Sequence, residues 1–196
     1  MLIYVSSLAH LTDMRKTFEF TSRDAVIFGG LILLWLGAYK SADVFNFFET
    51  YSSLWFLPAG VTLSVAIVAP VRFVLAPLVA NLLLAIPVIC NVLGIEHTGY
   101  RDPILHSFRL FFVYGCAGLL LRFGFNIPSS NELQDQIRIL IVTMLAAIFG
   151  ALSGVSLHAA VGNFPWSVAW DILTPWAVGD AIGAEGRAGQ LNHGAD

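Results

Sequence analysis

Residues 137–161 run for the length of a bilayer with only Arg138 and His158 able to carry charge. A hydrocarbon layer of about 30 Å takes roughly 20 apolar residues to cross as a helix. Helix satisfies every backbone N–H and C=O within the segment itself, which an apolar solvent demands. Five further apolar runs share the chain: 25–39, 53–69, 71–93, 103–121 and 168–184. The first is short, and the last is weaker and gives way to a polar tail. Composition agrees with this reading. Hydrophobic residues are 57% of the 196 and charged residues only 12%, about half the charge of an ordinary soluble domain. Too few polar residues remain to cover a soluble globule. Ten Lys and Arg, spread thinly under a net charge of −3, leave no basic footprint for nucleic acid. The sequence predicts an all-α, polytopic transmembrane bundle of about six spans, with the lipid bilayer as its main partner.

Lys and Arg orient that bundle. With the N-terminus inside, Arg15, Lys16, Arg23, Arg72, Arg122, Arg138 and Arg187 fall on the inner side. Lys40 and Arg101 fall outside, and Arg109 falls within the fourth span. The bias fits an N-in, C-in arrangement. Trp55, Trp166 and Trp170 then lie near the outer interface, where aromatic belts form. Residues 1–24 read as a cytoplasmic segment, 25–184 as the membrane domain and 185–196 as a polar tail. The Pro70-Val71-Arg72 turn makes a tight hairpin of the second and third spans. In the inner loop, Ser129-x-x-Glu132 has the form of a capping box for the fifth helix. Cys90 and Cys116 both read as small buried apolar residues, unpaired. The short loops hold no catalytic domain, and no nucleotide, hydrolase or metalloprotease motif occurs. No enzyme, metal or cofactor is expected.

Polar groups inside the spans carry the functional signal. Asp180 lies about ten residues into the last span, roughly 15 Å deep. An ionised Asp there must be paired, hydrated or protonated. It reads as a ligand contact, a proton-linked switch or a latch; the plainer reading is a carboxylate satisfied by a neighbouring helix or capping a broken one. Arg109, about 9 Å deep, is its candidate partner, or else snorkels to the interface. Asn81, mid-span, bonds either to Asp180 or to a backbone carbonyl as interhelical glue. His97, His106 and His158 fall on the outer side; three imidazoles can bind a metal or sense pH, but they have no local metal-ligand spacing. Tyr51 and Trp55 anchor at the interface or line an outer pocket. Ala146, Gly150 and Gly154 form a small-residue stripe, repeated by Gly179 and Gly183 around Asp180; such stripes let helices approach closely, within a bundle or between copies.

Two segments carry a family resemblance. Ser53-Leu54-Trp55-Phe56-Leu57-Pro58-Ala59-Gly60-Val61-Thr62-Leu63 resembles the Trp…Pro-Ala-Gly signature of the MASE1 family, the integral-membrane sensory domains of bacterial signalling proteins. Trp176-Ala177-Val178-Gly179-Asp180-Ala181-Ile182-Gly183 is similar to that family's W-x-x-G-D-A-x-G motif. The stretch Ala80-Asn81-Leu82 and residues 150–158 also fit. The resemblance implies an input domain that precedes a histidine kinase or diguanylate cyclase module. It marks Trp55, Pro58, Gly60, Trp176, Gly179, Asp180 and Gly183 as motif positions. It also implies about eight spans, so that the polar residues 185–196 stand where further helices and an output module would follow. The rival readings are a small transporter or channel with Asp180, Asn81 and Arg109 along its path, and a non-signalling remnant or assembly subunit that pairs with itself or a membrane partner.

Overall fold

Proline decides where several helices start. Its missing N–H costs nothing in a first turn, where no carbonyl would receive it. Pro58, Pro77, Pro87 and Pro103 each stand first or second in a helix. The protein, a computed structural model, is described over residues 20–43, 56–94 and 103–188. Its helices are α1 (Ser22–Asp43), α2 (Leu57–Val68), α3 (Ala76–Leu83), α4 (Pro87–Leu93), α5 (Pro103–Leu119), α6 (Glu132–Ala160) and α7 (Ala169–Ala188). One wider turn, Leu120–Gly124, extends α5, and short 3-10 turns at Val71–Phe73 and Trp166–Val168 lead into α3 and α7. No strand occurs among the described residues.

A short apolar helix holds the centre. α2 has 12 residues, and Pro58 to Leu63, Val65, Ala66 and Ile67 are all buried. It packs on α1, α5 and α7. A helix apolar on every face belongs inside, and small residues let three neighbours close on this one. A Cβ on Gly60 would overlap the carbonyl of Gly183 in α7, and a Cβ on Gly118 in α5 would stand 2.7 Å from the Leu63 carbonyl oxygen. Trp35 of α1, fully buried, donates from Nε1 to Thr62 Oγ1 at 3.1 Å. The Thr62 hydroxyl donates in turn to the Pro58 carbonyl at 2.8 Å.

Three helices are long and apolar enough to cross a membrane: Ser22–Ala42, Pro103–Gly124 and Glu132–Ala160. The second and third predicted spans need correction. Of 53–69, the described helix is only the 12 residues of α2, about 18 Å of rise and short of a full crossing. The run 71–93 is not one helix: Val71–Leu83 and Pro87–Leu93 meet at 91°. Pro87 disfavours helical backbone at Ile86, which is extended at φ −95° and ψ 111°. α7, over the sixth run, extends to Ala188, past the expected boundary at 184.

The capping box is also displaced. Asn131 caps α6, its side-chain oxygen accepting from Gln134 N–H at 3.1 Å. Ser129 instead donates its backbone N–H and its hydroxyl to the Asp135 carboxylate, at 2.5 and 2.7 Å. A reciprocal box does form at α1. Thr21 Oγ1 accepts from Asp24 N–H at 3.2 Å, and Thr21 N–H donates back to the Asp24 carboxylate at 2.9 Å. The expected burial of both cysteines holds for Cys90 alone; Cys116 is exposed, on the outside of α5.

Cations gather the chain's turns into two ends. At one, Arg72 pairs with Asp24 at 3.0 Å, Arg122 donates to the Ala69 carbonyl, and Arg138 lies 3.6 Å from Asp135. Arg122 and Arg138 also cover Phe123 and Phe125, at 5.1 and 5.6 Å. At the other end Lys40 donates to the Gly94 carbonyl. Trp166 and Trp170 are exposed near the start of α7. Between the ends the outer faces are apolar: Ile137, Leu140, Ile141, Leu145 and Phe149 of α6 are exposed. Such a surface is suited to lipid rather than water.

Candidate functional site

Three helices bring polar groups to one depth: two side chains and a backbone carbonyl. Tyr114 lies about 11 residues past the start of α5, Gly150 about ten before the end of α6 and Asp180 about 11 past the start of α7, each roughly 15 Å along its helix. These ends of the three helices lie together, because α6 turns directly back into α7 and α5 packs on α6. The Tyr114 hydroxyl, fully buried, donates to Asp180 Oδ2. Charge-assisted bonds of this kind are roughly twice as strong as neutral ones.

Arg109 does not snorkel outward. Its Nη1 donates to the Gly150 carbonyl at 2.5 Å and lies 3.4 Å from Ser153 Oγ. The Ser153 hydroxyl donates to the same carbonyl at 3.1 Å. The guanidinium is close enough to Asp180 for the two charges to interact. Glycine makes the room. A Cβ at Gly150 would come within 2.8 Å of the Tyr114 hydroxyl and 3.2 Å of Asp180 Oδ2, and one at Gly154 within 2.5 Å of the Trp176 ring and 3.0 Å of Arg109. The small-residue stripe of α6 therefore receives side chains from α5 and α7 inside the bundle, as well as letting the helices approach.

The two motif segments meet. Phe56 N–H, at the start of α2, donates to the Gly179 carbonyl of α7 at 3.1 Å. Gly60 lies against the Gly183 carbonyl, and a Cβ on Gly183 would strike the Phe56 backbone. Pro58 is buried in the first turn of α2. One face of this α7 segment thus fixes α2, while Asp180 reaches α5 and Trp176 covers Gly154.

A second polar group adjoins Arg109. His158, 1% exposed, has Nε2 at 3.1 Å from His106 Nδ1, and its Nδ1 lies 2.7 Å from the Asn163 amide. One proton shared between the facing nitrogens makes that contact a hydrogen bond. The Trp176 ring stands edge-on to His158 at 5.5 Å. Among the described residues no group of three or more His, Cys, Asp or Glu is placed to hold a metal ion.

Of the expected residues, Asp180, Arg109, Trp176, Gly179 and Gly183 converge here, with Pro58 and Gly60 on the adjoining face. Asn81 does not join them. It is buried in α3, and its Nδ2 has no hydrogen-bond partner among the described residues, so the amide donates neither to Asp180 nor to a backbone carbonyl. Tyr51, Trp55 and His97 lie outside the described residues. Sequence reading does not single out Tyr114, and it names His106 and His158 without pairing them. Tyr114 carries one usable signal, its depth match to Asp180; the two histidines, 52 residues apart, carry no local one. No family model, curated protein or solved structure matches the chain.

Proposed function

We propose that the chain is a membrane-embedded sensory input bundle of a bacterial signal-transduction protein, resembling a MASE1 domain and serving a histidine kinase or diguanylate cyclase module. It sits in the inner membrane, multi-pass, with the Arg72–Arg122–Arg138 end facing the cytoplasm. The reading rests on one observation above others: both motif segments that carry the resemblance share a single joint, Phe56 and Gly60 of α2 against Gly179 and Gly183 of α7. In α7 the same turn holds Asp180, bonded to Tyr114 of α5. A stimulus that favours one packing of this cluster shifts α7 relative to α5, and a ligand does so only by its differential affinity for the two packings. The bundle acts as an input rather than as a catalyst.

Reading the native coding frame beyond the codon for Asp196 tests this. A kinase or cyclase module in frame with α7 supports it. A stop codon in an intact gene, with Asp180-dependent solute uptake by proteoliposomes, overturns it in favour of transport. The transport reading draws on the short α2 and the broken α3–α4 pair, since discontinuous helices often line transport sites.

A further inference from the structure

We infer that the signal read at this cluster is proton uptake by the Asp180 carboxylate, which releases α7 from α5 while the joint with α2 holds. The inference rests on the sensory reading above and names its stimulus. Space argues for it first. The Gly150 notch is filled by the Tyr114 hydroxyl and Asp180, and the Gly154 notch by Trp176 and the Arg109 guanidinium, so closely that neither admits even a Cβ without displacement. A molecular ligand has to open the helices before it can enter either notch. A proton has no such requirement.

Bonding argues for it next. From α5 the groups facing Asp180 are Tyr114 and Arg109. From α6 Gly150 faces it, and Ser153 lies beside Arg109; neither titrates. α2 presents Phe56 and Gly60 to the same stretch of α7, and neither is ionisable. His106 and His158 lie beyond Arg109, with the His158 ring against Trp176. Asp180 is therefore the only carboxylate among the described groups of the cluster. A hydronium ion gives its proton to a carboxylate oxygen: one hydronium O–H bond breaks, a carboxyl O–H bond forms from an oxygen lone pair, water leaves, and nothing is oxidised or reduced. The charge-assisted bond from Tyr114 becomes a neutral one of roughly half the strength, and the attraction of Arg109 for Asp180 goes with it. The Phe56–Gly179 bond and the Gly60–Gly183 contact carry no charge and persist, so α7 turns about them.

The full chain in lipid nanodiscs tests this, with Cys90→Ser and spin labels on Cys116 of α5 and on Val178→Cys of α7, both exposed positions. The label-to-label distance is read from about pH 5 to about pH 8, beside the infrared carbonyl band of protonated carboxyl groups. The wild type is expected to show two distances that exchange with pH, in step with one carboxyl band. Asp180→Asn should lose that band and hold the low-pH distance throughout. Should Asp180→Asn fail to fold, Tyr114→Phe replaces it. Loss of a donor to the ionised form moves the transition to higher pH, by about one unit. A distance that ignores pH, or a pH response unchanged in Asp180→Asn or in Tyr114→Phe, overturns the inference. The sensory reading fails separately, on the coding frame, and leaves these distances untouched.

Discussion

Gly60 and Gly29 are the same residue type in neighbouring helices, with opposite surroundings. A Cβ at Gly60 meets the Gly183 backbone, which has no flexible end to move; at Gly29 it meets nothing within 4 Å. Gly60→Ala should therefore destabilise the folded chain by about 2 kcal/mol, the scale of overpacking a tight contact. Gly29→Ala should stabilise it by about 0.5 kcal/mol or more, the helix-propensity gain with no clash to offset it. Thermal unfolding in one detergent compares the two; equal effects would show that the α2–α7 joint is not close. The residue scale is also where the sequence is most legible. Asp180 and Arg109 stand out because charge in an apolar run is expensive, and their depths alone bring them within reach. Tyr114 does not, because a Tyr in such a run passes for a core or interface aromatic. The His106–His158 bond depends on how α5 and α6 face each other, which neither local sequence encodes.

Helix ends show how a correct pattern can pick a wrong position. Ser129-x-x-Glu132 satisfies the capping-box rule, yet Asn131 takes the cap, because the Asp135 carboxylate already binds the Ser129 hydroxyl and N–H. Both Asn131→Ala and Ser129→Ala should lower stability, Asn131→Ala by about 1 kcal/mol through loss of the cap. Glu132→Ala should leave it nearly unchanged, whereas a true box would lose as much there. Denaturant titration of the three variants decides it. The genuine box, Thr21 with Asp24, is hidden to a reading that starts the helix at residue 25, where hydropathy begins to rise. Hydropathy also hides the break at Pro87. It sums side-chain transfer across residues 71–93, whereas the 91° bend between Val71–Leu83 and Pro87–Leu93 arises in the backbone. The same blindness makes α2 look like part of a full crossing. Its burial on all sides by α1, α5 and α7 explains why an apolar run need not face lipid.

Over the whole molecule, charge separates the two ends and α6 joins them. At about 43 Å for its 29 residues, α6 is long enough to cross the hydrocarbon layer, and the proposed membrane arrangement puts the turns at its ends on opposite faces. With Cys90 and Cys116 replaced by Ser, a membrane-impermeant maleimide should label Gly162→Cys from outside the cell and leave Ser130→Cys unlabelled until the membrane is opened. The reverse pattern would invert the orientation. Helix content and the membrane setting are legible in composition and run length, because both follow from sums over many residues. The meeting of α2 and α7 is a long-range fact: the motifs are visible, their contact is not. What the account most needs is that the Asp180–Tyr114 bond ties α7 to α5. A double-mutant cycle measures it directly, from the unfolding free energies of wild type, Asp180→Asn, Tyr114→Phe and the double variant in one detergent. The account predicts a coupling of about 1 kcal/mol or more, within the range for groups in direct contact. Additive losses, with no coupling beyond about 0.3 kcal/mol, would contradict it.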